Sequence, residues 1–393
     1  MATIQLRPDR FAAGGEALGR DDDGRVVFVR GALPGETVVA EVVQEKRDWA
    51  RAHVIDIVDA SPDRVTPPCA SRLAGCGGCG WMHLELEAQR RAKVAIVEEA
   101  LRRTGGLSAP VTVLGPGVAA EGYRTTARVA PGPDGAAGFR AERSHEVVAA
   151  PACLVLNPQL RDLVARLRLD PGVEATLRMS VATGEIGADW DRRRGGVYGL
   201  PADVRRGAAA QLHEDVDGHR LRVSIGSFFQ SGPEAAALLV GAVRRAAPEL
   251  ADAGVVVDAY AGVGMFAACV TARDSFVVAI ETSRSAIADA GANLEDRRHQ
   301  LVRGEVGGWR APPDLGVEVV VADPARSGLG APGCAALTRL GAPVLVLVSC
   351  DPGSLGRDAK LLSQAGYVHQ RSELIDTFPH TTHIEVVSRF ESD

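Results

Sequence analysis

Four aliphatic runs, VVVD, FVVAIE, VEVVVAD and PVLVLVSC, punctuate the C-terminal part of the chain and end on Asp258, Glu281, Asp323 and Cys350. Runs so continuously apolar have no polar face to turn to water. They fit strands covered on both sides, as in a parallel sheet between two helical layers. The intervening segments agree: AYAGVGMFAACVTA reads as a glycine-rich turn opening a helix, and SAIADAGANLEDR as a crossover helix. A doubly wound, mostly parallel α/β sheet is therefore predicted from about Leu221 onward. Such sheets bind ligands beyond the carboxyl ends of their strands, which makes the four terminal residues the first candidates for chemistry.

The front of the chain obeys another rule. VVFVR, TVVAEVV and RAHVIDIV alternate apolar and polar positions over short runs separated by turns such as GALPGE, the pattern of a small all-β barrel. SPDRVTPPC reads as a linker, and the stretch from Tyr123 to Gln211 as a mixed region of short apolar runs. With 393 residues the chain exceeds one ordinary core, and the expected division is a barrel over 1–60, a central α+β region over 61–215 and the α/β domain over 216–393. No stretch approaches the roughly 18 apolar residues of a membrane span, and MATIQLRPDRFAAGG lacks a basic segment followed by an apolar run; a cytoplasmic monomer without a membrane partner is expected.

LELEAQRRAKVAIVEEALRRTGG carries helical spacing at Leu86, Val94, Val97 and Leu101 and is stopped by Gly105 and Gly106, and this helix is expected to pack on the C-terminal domain. Its Arg90, Arg91, Lys93, Arg102 and Arg103 read as a solvated face with Glu98 and Glu99 as partners. A net charge of −6 gives no chain-wide basic footprint for nucleic acid, so any such contact is confined to local patches.

Seven cysteines without a secretory signal argue for metal binding or catalysis rather than a disulfide framework. Three of them, Cys69, Cys76 and Cys79, lie in CASRLAGCGGCGWMHL, where His83 completes a Cys₃His set suited to zinc; an iron–sulfur cluster is an equal alternative on spacing alone.

The turn DAYAGVGMFA places Gly262, Gly264 and Ala267 in a G-x-G-x-x-A spacing, with Glu281 where an acid would bind a ribose diol. This fits a nicotinamide oxidoreductase or an S-adenosylmethionine enzyme. The following motifs choose. FFQSG (228–232), DAYAGVGMF (258–266), AIE (279–281), DPARSGLG (323–330), VSCDP (348–352) and FPHTTHIE (378–385) occur in the order seen in the RNA 5-methyluridine methyltransferase family, which this half of the chain resembles. GEALGR…GRVVFVRGALPGETVVAEVV at the front likewise resembles the TRAM domain, an RNA-binding barrel of the OB type.

The resemblance implies a Rossmann-like class I methyltransferase domain using S-adenosylmethionine. It implies Cys350 as nucleophile, Glu385 as the base for the C5 proton, and Gln230, Tyr260, Glu281 and Asp323 as cofactor contacts, beside Gly262 and Gly264, whose turn lets backbone approach a cofactor closely. Met265 stands where several relatives have Asn, and the family's FFQ-x-N, D-P-P-R and S-C-N-P are FFQSG, DPAR and SCDP here. It further implies a [4Fe–4S] cluster on Cys69, Cys76, Cys79 and the distant Cys153 of PACLVLNP, within a C-x₆-C-x₂-C spacing one residue longer than in some relatives. The substrate implied is RNA, ribosomal (23S) in preference to transfer RNA.

The chemistry agrees with these roles. C5 of uracil attacks a sulfonium methyl only after a nucleophile adds at C6, and a thiolate both adds and departs readily. Cys269 and Cys334 read as structural, and His380 and His383 as orienting the loop of Glu385. A non-catalytic RNA-binding protein on a degenerate fold is the remaining alternative, and the pairing of Cys350 with Glu385 argues against it.

Overall fold

The computed structural model describes residues 2–393. At the front, strands Thr3–Leu6, Arg10–Phe11, Ala17–Arg20, Val26–Arg30, Thr37–Glu45 and Trp49–Asp59 form one six-stranded sheet. Its alternation is that of the sequence: Val27 and Val29, Val38 and Ala40, Ala50 and Ala52 point into a common core while their neighbours face outward. The middle of the chain builds a second six-stranded sheet, on which helix Pro158–Arg166 packs through Leu160, Leu163 and Val164.

An eight-stranded sheet forms the largest unit. Its strands are β1 (Thr112–Gly117), β2 (Val255–Ala259), β3 (Phe276–Glu281), β4 (His299–Arg303), β5 (Val319–Ala322), β6 (Val344–Ser349), β7 (Tyr367–Asp376) and β8 (Val386–Ser392). They lie in the order β4-β3-β2-β5-β6-β8-β7-β1, with β2 to β6 parallel and β8 antiparallel to both neighbours. The chain winds outward in opposite directions from β2 and β5, so a crevice opens between their carboxyl ends. Both faces are covered, as the unbroken valine runs require.

Two pieces of the chain's middle are built onto this sheet. One is β1, which pairs in parallel with β7 as an edge strand; its sequence TVLGPG reads as a turn, and the pairing overrides that propensity. The other is helix α1 (Leu86–Arg103), packed against helix α6 (Pro352–Gln364). Glu85 caps α1 by accepting the Ala88 amide at 2.9 Å. Gly356 of α6 lets the helices approach so closely that a Cβ there would sit 2.7 Å from the Ala100 carbonyl oxygen. Val97 and Leu101 are fully buried in this seam, each contributing about 1.5–3 kcal/mol.

The basic face of α1 differs from the expected solvated one. Arg102 and Arg103 do pair with Glu99, and Arg91 with Asp63. Lys93, however, is buried, with its ammonium 2.7 Å from the buried Asp376 carboxylate, which also receives Arg90. Among the described residues no helix is long and apolar enough to cross a membrane.

Candidate active site and cysteine cavity

The crevice beyond β2, β3, β5 and β6 is a pocket of about 540 Å³, within the usual size of small-molecule sites. Gln230, Tyr260, Gly262, Glu281, Asp323, Cys350 and Glu385 all line it, brought together from six separate motifs. Gly264 does not. It caps helix α3 (Met265–Val270) in a left-handed conformation, φ +76°, and a Cβ there would meet Ala290 at 3.2 Å, so its smallness serves packing beneath the pocket. Asp258 also stands back: it is buried, one oxygen accepts the Ala267 amide at 3.0 Å, and the other has no partner among the described residues.

The turn after β2 is held in a costly conformation. Tyr260 has φ +62°, rare for a side chain of that size, and such geometry persists only where surroundings over-determine it. Glu281 supplies part of that determination, accepting the Gly262 amide (3.0 Å) on one oxygen and Thr282 Oγ1 (3.1 Å) and the Ser283 amide (2.7 Å) on the other. Of its four lone pairs one remains free; a second becomes free when the Thr282 hydroxyl turns away. Gln230 lines the pocket, and its buried Oε1 has no hydrogen-bond partner among the described residues. Met265 lines the same wall with a side chain that offers no donor.

Three acidic groups crowd the other end. Asp323 makes no side-chain hydrogen bond among the described residues; burial, then the charge of Asp258, raises its pKa to about 7. Burial and then Asp323 hold Glu385 well above the ordinary carboxylate range, with Arg326 opposing. The Cys350 thiol is pushed up to about 12 by burial and by the charges of Glu385 and Asp323, again opposed by Arg326. Three acids so close and so dry cannot all ionise, so the pocket retains protons.

Sequence reasoning missed Arg124, Arg326, His383 and Phe228 as lining residues. Arg124 lies in YRTTARVA, far from the strand ends, and no periodicity marks it. His383 faces Arg326, with ring nitrogens 3.4 and 3.5 Å from the guanidinium, and lines the pocket in addition to its place in the loop. Phe228 is 71% exposed at the pocket edge.

Arg124, Arg326 and His383 also form a wall of a second cavity, of about 980 Å³. Cys69, Cys76, Cys79 and Cys153 all line it; His83 does not. Burial raises the Cys79 thiol to about 12 and raises Cys153 as well, each reinforced by the other thiols. No three ligating side chains among the described residues converge on one point as a single ion needs. Four thiols around one cavity are the donor set that would hold a [4Fe–4S] cluster. Cys269 and Cys334 are buried elsewhere, among apolar side chains.

Residues 9–55 match the TRAM domain. An RNA methyltransferase of Streptomyces avermitilis, itself uncharacterized, is 35% identical over 99% of this chain and 97% of its own length. The 23S rRNA (uracil(1939)-C(5))-methyltransferase RlmD of Chromohalobacter salexigens is 33% identical over 97% of this chain and 87% of its own. Among solved structures, the tRNA (uracil-54, C5)-methyltransferase of Pyrococcus abyssi in complex with S-adenosyl-L-homocysteine superposes with a TM-score of 0.72 at 23% identity, covering 98% of this chain and 99% of that one. That likeness shows the fold, a methyltransferase sheet preceded by a small β domain, and the curated relatives set aside the nicotinamide reading that the glycine turn alone allowed. With relatives of this identity matched almost end to end, the chain belongs to the RNA 5-methyluridine methyltransferase family and is an S-adenosylmethionine-dependent RNA methyltransferase.

Proposed function

We propose that this protein methylates C5 of a uridine in 23S ribosomal RNA, through a covalent bond between Cys350 and C6 of the base. The observation that carries the reading is the meeting of Cys350, Glu385 and Asp323 in one pocket with the unsatisfied Gln230 and the Glu281 turn. S-adenosylmethionine, when bound, supplies an electrophilic methyl group. Glu281, with a lone pair left free, would accept one of its N–H or O–H groups, and Gln230, Tyr260 and Gly262 would line its site.

The chain's own residues carry the remainder. Cys350 gives its proton to solvent and its sulfur forms the S–C6 bond; the electron pair displaced from C5=C6 makes C5 the nucleophile that takes the methyl, whose former bonding pair stays on the donor sulfur. Glu385 then accepts the C5 proton, the C–H pair restores the double bond, and the S–C6 pair leaves with the thiolate. Glu385 acts as this base only in its ionised form, and its raised proton affinity then makes that form the stronger acceptor.

A stacked uracil cannot reach the thiol, so the target is unpaired or flipped out. Arg124, Arg326 and the exposed ring of Phe228 line the pocket and would meet such a base and its phosphates. We assign the barrel (1–60) to gripping the RNA, the middle region (61–215) to a [4Fe–4S] cluster on Cys69, Cys76, Cys79 and Cys153, and 216–393 to chemistry. Identity to the ribosomal enzyme over most of both chains favours ribosomal over transfer RNA. The test is methylation of 23S and transfer RNA from cells lacking the gene, with 5-methyluridine mapped in each. A new 5-methyluridine in 23S RNA is expected; one in transfer RNA alone would overturn the choice of substrate.

A further inference from the structure

Glu385 stands at the end of the connector 377–385 between β7 and β8, a segment without regular secondary structure. Its own bonds hold only part of it, Thr381 Oγ1 donating to the Phe378 carbonyl at 2.8 Å and the Ile375 amide to the Glu385 carbonyl at 2.8 Å, yet a base must be held closely for proton transfer, since about 1 Å of misplacement costs on the order of 10²-fold in rate. Its tip, His380, has φ +65°, a conformation a non-glycine residue keeps only when its neighbours impose it.

Those neighbours come from the other end of the chain. The His380 amide donates to Gln89 Oε1 at 2.7 Å, and the His380 carbonyl accepts the Trp81 amide at 2.9 Å. Gln89 Nε2 donates to the carbonyls of Trp81 and Leu84, at 3.2 and 2.8 Å, so the amide group is used on both sides. One turn further along α1, Lys93 Nζ donates to the Phe378 carbonyl at 3.0 Å and to Asp376 at 2.7 Å. Gln89 and Lys93 are both fully buried on the face of α1 that otherwise presents Ile96, Val97 and Leu101. Aliphatic side chains would fill that face without desolvating a cation or an amide, so these two polar groups serve direction rather than burial. The barrel presses on the same connector: Gly15 lies so close to Thr382 and Trp81 that a side chain there would collide with both.

We propose that Gln89 and Lys93 are positioning residues for Glu385, and that helix α1 fixes the connector so that proton removal from C5 depends on the segment that follows the cysteines. This rests on the reading of Glu385 as the base. The device acts after methyl transfer, so its loss has a particular signature. The protein–RNA adduct still forms and still accepts a methyl group, then resolves slowly.

The experiment uses the full chain with uridine-containing 23S RNA and S-adenosylmethionine, following the adduct on denaturing gels beside turnover. Glu385→Gln calibrates it by accumulating methylated adduct. For Gln89→Leu the expectation is a turnover lower by on the order of 10²-fold, a several-fold greater steady-state adduct, and a rate of adduct formation within about threefold of the parent. Lys93→Met leaves Asp376 without its lysine, so the double variant Lys93→Met/Asp376→Leu, which removes both charges, tests the same point if the single variant does not fold. Loss of adduct and turnover in proportion, or no change in either, with Glu385→Gln accumulating normally, overturns the positioning role. Failure of Glu385→Gln itself to accumulate adduct overturns the assignment of the base, and the positioning role with it.

Discussion

The two cavities share a wall of Arg124, Arg326 and His383 but are made in opposite ways. In the catalytic pocket Asp323 and Cys350 directly follow β5 and β6, and Tyr260 and Glu281 sit at the ends of β2 and β3, inside a hydrogen-bonded parallel sheet. In the cysteine cavity Cys76 and Cys79 hang on turns around a four-residue helix, and Cys153 on a loop. The first site is positioned by the backbone before any ligand arrives. The second gathers thiols on turns and loops, three of them buried, with the Val155 and Leu156 amides bonding the Cys153 sulfur. Tyr260, Glu281, Asp323 and Cys350 are thus held by strand ends, Glu385 by a connector that α1 braces, and the four thiols by turns and loops.

The largest effect separates the two at once. Cys350→Ala is expected to lower 5-methyluridine formation by at least about 10³-fold, the scale seen when a covalent nucleophile is removed, and to abolish trapping by 5-fluorouridine RNA, whose C5 fluorine cannot leave as a proton. Iron and sulfide content should stay at the parent level, because Cys350 is not among the thiols of the second cavity. Methyl transfer that survives the substitution would break the covalent mechanism, and iron lost with it would break the separation of the sites.

Cys153→Ser makes the converse cut. The parent is expected to purify anaerobically as a brown, oxygen-sensitive protein, and the variant without its colour or iron. Its melting midpoint should fall by several degrees, about 2–4 °C for each kcal/mol lost, while affinity for S-adenosylmethionine stays near the parent value. A colourless anaerobic parent containing one zinc and no iron would overturn the cluster.

The same contrast explains what the sequence disclosed. Strand ends are legible because a continuous valine run leaves no face for water and must be covered on both sides, and the sheet then places Asp323 and Cys350 without further information. The four cysteines were legible as a set only through family likeness, because no periodicity ties Cys153 to Cys69. Arg124 and the strand Thr112–Gly117 were not legible at all: each owes its place to long-range pairing, and a Gly-Pro pair inside a strand argues locally for a turn. Lys93 misled in the other direction. A lysine among arginines on a helix is nearly always solvated, and only the distant Asp376, brought by β7, makes its burial tolerable.

The smallest effect concerns the acid behind the pocket. Asp258 is buried with one unpartnered oxygen, and burial lifts its pKa from 3.8 to about 7. Below about pH 4 folded and unfolded chains both hold its proton. Between about pH 4 and 7 the unfolded chain has lost it while the folded chain keeps it, so the stability this group contributes declines as pH rises, by at most about 1.4 kcal/mol per pH unit. Above pH 7 both forms are ionised and the decline stops. Asp258→Asn keeps an acceptor for the Ala267 amide and carries no such slope. It also removes the charge that raises Asp323, flattening a second contribution of the same sign. Denaturation midpoints of parent and variant should therefore differ in the variant's favour more at pH 8 than at pH 5, by on the order of 1 kcal/mol. A difference that is the same at both pH values would mean that Asp258 is ionised throughout this range in the folded chain, against the effect of its burial.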